Sequence, residues 1–65
     1  MISYVLYIWH TDTKKYCYAD QISYQAKIIK GEKIRWNMRK YKVTEVDHDL
    51  DANTIDLYLE EDVGT

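Results

Sequence analysis

Few residues in this chain are equipped for chemistry. His10, Cys17 and His48 supply the only imidazoles and the only thiol among 65 residues. None stands in a Cys-x-x-Cys or His-x-x-x-His spacing, so tetrahedral zinc ligation has no framework. His10-Thr11-Asp12 sets a carboxylate two residues from an imidazole, the raw material of an oriented general base. No serine or cysteine lies in a nucleophile motif, and two glycines are too few for a phosphate-cradling loop. His10 therefore reads as a loop residue after a strand, and Cys17 as a small residue on a sheet face. Asp47-His48-Asp49-Leu50-Asp51 opens like a calcium loop, with acidic residues at the first, third and fifth positions. The sharp-turn glycine is replaced by Ala52 and the bidentate glutamate by Tyr58. The stretch reads instead as a solvated acidic hairpin loop closed by Asn53. The expectation is a protein that is no enzyme and holds no metal or cofactor.

Charge and aromaticity are the stronger signals. Residues 27–42 carry seven Lys and Arg against the single Glu32, whereas residues 45–62 carry eight acidic residues and no Lys or Arg. Arg35, Trp36, Arg39 and Tyr41 combine positive charge with stacking surfaces, the recipe for a single-stranded nucleic-acid site. A pI near 5.5 works against phosphate binding, which draws on the field of the whole molecule. Pairing of the basic stretch with the acidic one uses up the same charge inside the molecule. Nucleic acid is thus the alternative partner, not the first. Seven tyrosines and two tryptophans are more than a core this small can bury with every hydroxyl and indole N–H satisfied. A surplus of this kind marks a docking surface.

The elements that position these residues are strands. Ile, Val, Thr, Tyr and Trp far outnumber Leu and Ala, and β-branched and aromatic side chains suit a pleated, half-buried surface. Residues 2–9 alternate Ile2, Tyr4, Leu6 and Ile8 with Ser3, Val5, Tyr7 and Trp9, both faces being largely apolar, which predicts a central or doubly covered strand. A polar loop over residues 10–15 leads to a second strand over 15–19, with Tyr16 and Tyr18 on one side and Cys17 on the other. Residues 20–30 fit two periods. A strand alternates Ile22, Tyr24, Ala26 and Ile28; a helix capped by Asp20 buries Ile22, Ala26 and Ile29. Lys30-Gly31-Glu32 is a turn that uses glycine at positive φ. Ile34, Trp36 and Met38 then alternate with charged residues in a strand expected to continue through Tyr41 and Val43 to Val46.

Val43 and Val46 are three apart and would fall on opposite faces of a regular strand. One extra residue near Thr44-Glu45, a β-bulge, restores both to the core. Opposing Val46 with Ile55 and Val43 with Leu57 then sets Lys42 opposite Tyr58, Lys40 opposite Glu60 and Arg39 opposite Glu61. Gly31-Glu32-x-Ile34, Tyr41-x-Val43-x-x-Val46 and Ile55-x-Leu57-x-Leu59 together resemble SH3-like small barrels over residues 31–59, a resemblance of architecture that implies no activity.

The expected fold is a single mainly β domain, a small five-stranded SH3-like barrel or a strongly bent antiparallel sheet, with α+β and one short helix at 20–30 as the alternative. The expected function is a protein-binding module of adaptor or inhibitor type, which docks on a target or self-associates as a homodimer through Val5, Tyr7, Trp9, Tyr16 and Tyr18. A single cysteine, no basic leader and an apolar run that stops at Trp9 predict a soluble, cytoplasmic protein of a cell or of a virus that infects it.

Overall fold

The computed structural model describes residues 1–62. Five strands, β1 (Ile2–His10), β2 (Lys15–Tyr24), β3 (Lys33–Trp36), β4 (Arg39–Asp49) and β5 (Thr54–Glu61), form one sheet in the order β2-β1-β5-β4-β3. The sheet curls into a half-barrel and no helix occurs among the described residues, so the mainly β, barrel-like class holds. The sheet is mixed. β1 and β5 run parallel, with Tyr4 beside Ile55 and Leu6 beside Leu57, while the other three pairings are antiparallel. β1 is central, flanked by β2 and β5.

The concave face holds the core: Tyr4, Leu6, Ile28, Tyr41, Val43, Leu57 and Leu59, with Ile2, Ile8, Ile22, Ile34, Trp36, Val46 and Ile55 packed around them. Strand alternation places these residues, and two bulges keep the alternation in phase while bending the sheet. One lies in β4 at Thr44, between Val43 opposite Leu59 and Glu45 opposite Tyr58. The other lies in β2 at Ala19, opposite the Leu6–Tyr7 step of β1.

Four expectations are corrected. The β4–β5 register lies two residues from the expected one, so Val46 opposes Leu57 and Lys42 opposes Glu60. A slide of two keeps the same faces buried, so the core pattern alone cannot choose between these registers. Asp49 decides it: its Oδ1 accepts the amides of Asp51 (3.1 Å) and Ala52 (3.1 Å), and Asn53 takes a left-handed φ of 57°, which closes the loop directly after Asp49. Second, residues 33–46 do not form one strand. Asn37 and Met38, with φ of 52° and 64°, fold it into a two-residue hairpin, and Met38 is 92% exposed instead of lying on a buried face. Third, the strand expected at 15–19 runs on to Tyr24. Fourth, residues 25–32 are neither strand nor helix but a loop closed over the concave face.

That loop is held by a side chain. The Tyr4 hydroxyl donates to the Ala26 carbonyl at 3.0 Å and accepts the Ile28 amide at 3.0 Å, which draws Ile28 into the core. At its far end Glu32 Oε1 accepts the Ile29 amide, and Gly31 N–H and Glu32 C=O bond to the backbone of Val43. Gly31 sits at φ 94°, as the turn reading expects.

Tyr4→Phe keeps the ring and strands two backbone groups, and should cost about 1–3 kcal/mol in denaturant titration, with amide-exchange protection lost first at Ile28. Met38→Gly relieves a left-handed residue that makes no packing, and should raise stability by about 0.5–1 kcal/mol in thermal unfolding.

Candidate aromatic docking face

The residues expected to dock a partner sit on the convex side of the sheet. The described residues form one sheet, and among them no second layer packs over that side. Across neighbouring strands, Tyr18 of β2 stands beside Tyr7 of β1, Tyr7 beside Tyr58 of β5, and Tyr58 beside Glu45 of β4. Trp9 stands beside Tyr16, and Val5 lies between Gln21 and Asp56.

Five rings make one cluster. Tyr7 stacks on Tyr58 at 5.2 Å and 17°, and takes Tyr18 edge-on at 6.3 Å. Tyr16 meets Trp9 at 5.1 Å and Tyr58 at 5.0 Å, both edge to face. Offset and edge contacts of this kind add about 0.5–1.5 kcal/mol each beyond area burial. The β4 bulge anchors the cluster: Thr44 Oγ1 donates to the Tyr58 carbonyl at 3.0 Å, so the Tyr16 hydroxyl is the donor in its 2.9 Å bond to Thr44 Oγ1. Tyr16 thereby reaches from an edge strand to the far side of β5. Val5, Tyr7, Trp9 and Tyr16 are half-buried, and Tyr18 is 64% exposed.

Tyr58 is the member that sequence reasoning missed. Its place between inward Leu57 and Leu59 marks it as outward-facing, but its neighbour is set by the parallel β1–β5 pairing, which no local pattern encodes. An acidic border was missed as well. Asp56 stands directly opposite Asp47, next to the tyrosines, and among the described residues neither forms an ion pair. Loss of hydration pushes the Asp56 carboxyl above its ordinary value, and the nearby charges of Asp49 and then Asp47 add to the rise. The Tyr58 phenol is also raised, by burial first and by Asp56 and Asp47 next.

The charge pairing expected across β4 and β5 is limited to one end. Arg39 Nη1 lies 3.4 Å from Glu61 and Lys33 Nζ lies 3.3 Å from Asp62. Lys42 also stands opposite Glu60, but like meets like at Asp47 opposite Asp56 and, between β3 and β4, at Lys33 opposite Lys42 and Arg35 opposite Lys40. Cross-strand like charges are destabilising.

The other sequence candidates are dispersed. Tyr41 is 5% exposed within the core, and Trp36 packs 6.2 Å from it on the concave side. Arg39 is engaged by Glu61, and Arg35 projects from the opposite face of β3. These four residues do not form one stacking platform. Asp12 is turned to the Thr13 amide, while His10 and Cys17 both border a groove at the open end of the half-barrel. No three His, Cys, Asp or Glu side chains converge among the described residues. No helix of the structure is long and apolar enough to cross a membrane. No family model, curated protein or solved structure matches this chain.

A carboxyl raised in the native state binds its proton more readily there than when unfolded. Desolvation of the Asp56 carboxylate, with repulsion from Asp49 and Asp47 added, therefore costs stability above the raised value and vanishes below the ordinary carboxylate range, so stability falls as pH rises through that window. Asp56→Asn should raise the urea midpoint at pH 7 and leave it nearly unchanged at pH 3, measured by Tyr and Trp fluorescence.

Proposed function

We propose that this protein is a non-enzymatic binding module, of adaptor or inhibitor type, that docks on a protein through the convex face of Tyr7, Trp9, Tyr16, Tyr18 and Tyr58. One observation carries the reading: a cluster of five rings on a sheet face that no second layer covers. Tyr and Trp supply large, rigid contact area with a polar tip, and they dominate the energetics of protein interfaces.

The acidic border bears on which protein is bound. A two-fold homodimer would press the same patch against itself and set Asp47 and Asp56 against their own copies. A target with Lys or Arg around an apolar centre gains where the self-pair loses, which favours docking on another protein over self-association. Architecture adds nothing to this choice, because SH3-like barrels host many unrelated functions. A reducing, cytoplasmic setting suits an unpaired Cys17, in a cellular or a virus-encoded protein alike.

Tyr18 offers the cleanest test, since it is the most exposed member. Tyr18→Asp should leave the chain folded, at a cost of about 0.5–1.5 kcal/mol in unfolding free energy, the worth of its edge contact with Tyr7. Affinity capture from the native cell, with light scattering on the purified chain, should show a protein retained by the parent and lost by the variant. Equal retention by both, or a strict monomer that retains nothing, would overturn the reading.

A further inference from the structure

The half-barrel is open along one side, and the two strands that bound the opening are the ends of the sheet order, β2 and β3. β2 is a ten-residue edge, Lys15–Tyr24, whose charged side chains are Lys15 and Asp20 and which contains no proline. Long edges of this sort are normally shortened, charged or covered, because their free N–H and C=O groups recruit another strand. Ala19 bulges there, which protects the edge only in part. Among the described residues, no backbone hydrogen bond joins β2 to β3.

Two grooves occupy this opening. One, of about 360 Å³, lies between Ile22 and Tyr24 of β2 and Ile34 and Trp36 of β3, with Ala26 and Ile28 at its base. The other, of about 480 Å³, continues past Trp36 to Ile8, Trp9, Cys17, Tyr18 and Tyr41, with the paired Arg39 and Glu61 at its border. Trp36 borders both, so together they form one slot along the seam. Lys27, Lys33 and Arg35 rim the first groove. Glu32 is the one acidic residue there, and its carboxylate is already bound to the Ile29 amide.

We propose that this seam is a strand-addition site that takes an extended, acidic-apolar segment of another protein, which completes the barrel between β2 and β3. Main-chain hydrogen bonds to the free edges hold the segment, alternate apolar side chains enter the slot beside Trp36, and its carboxylates meet Lys27 and Arg35. A second copy of this chain cannot supply such a strand. Its acidic strands, β4 and β5, are already paired on both sides, and its own edges are neutral or basic. A polypeptide also fits better than single-stranded nucleic acid, because half the groups on a sheet edge are carbonyl acceptors that repel phosphate. The far end of the slot reaches Trp9 and Tyr18 of the aromatic face, whereas Lys27 and Arg35, which select the segment by charge, line only the other groove.

NMR titration of the labelled chain tests the proposal with three probes: an alternating valine–glutamate peptide, an alternating valine–lysine peptide and single-stranded oligothymidine. Saturable shifts and slowed amide exchange are expected at residues 15–24 and 33–36 with the glutamate peptide. Lys27→Glu and Arg35→Glu, both exposed and expected to fold, should each weaken that binding about tenfold, in keeping with the cost of like charges across an interface. The proposal is overturned by absence of shifts up to millimolar glutamate peptide, by equal binding of the lysine peptide, or by oligothymidine shifting these residues in place of peptide.

Discussion

The parallel pairing of β1 with β5 is the contact on which the rest of the molecule depends. It joins the two hairpins, β1–β2 and β4–β5, into a single sheet by setting Leu6 beside Leu57 and Tyr7 beside Tyr58. On the concave side it makes a core out of two half-cores, neither of which could bury its apolar face alone. On the convex side it brings Tyr58 under Tyr7 and within reach of Tyr16. The same pairing leaves β2 and β3 as outer strands, so the docking face and the open seam are both consequences of it.

Stability and charge pull in different directions. A chain this short has only a few kcal/mol to spare, yet it sets Asp47 against Asp56 and Lys33 against Lys42 on neighbouring strands. Reversing the charge of Asp47 would relieve the first of these repulsions, while the second is offset by Asp62 beside Lys33 and Glu60 beside Lys42. The arrangement instead separates an acidic patch beside the tyrosines from a basic rim along the seam. Two chemically distinct surfaces result on a molecule whose Cα radius of gyration is 11.5 Å.

Much of the fold was legible where the sequence pattern is local. Period-two alternation marked Ile2 to Trp9 as a central strand, and the three-residue step from Val43 to Val46 located the Thr44 bulge. The same reasoning applied one step earlier would have found the hairpin: Met38 and Tyr41 are also three apart, and a break in parity there is the mark of the Asn37-Met38 turn. Methionine is not a turn residue, and the pattern was read straight through it. The β4–β5 register was hidden because a two-residue slide buries the same side chains, and only the Asp49 turn chooses between them. Of the docking face, the members on the first hairpin could be read from alternation. Tyr58 and Asp56 could not, because they join it through a parallel pairing between distant parts of the chain, and that pairing has no signature in either strand alone.

The position of β5 has a further consequence, for the order in which the chain becomes protein. β5 is made after the other four strands of this sheet, and it belongs in the middle, between β1 and β4. Until residues 54–61 leave the ribosome, β1 has one bare edge, β4 has another, and the apolar faces of both lie open. The decisive contacts span some fifty residues of a 65-residue chain, as between Tyr4 and Ile55, and distant contacts of this kind form slowly because the loop must close before they hold. β5 thus joins the sheet by insertion instead of by addition. The nascent chain passes through a stage in which its exposed strands can be claimed by any other strand within reach.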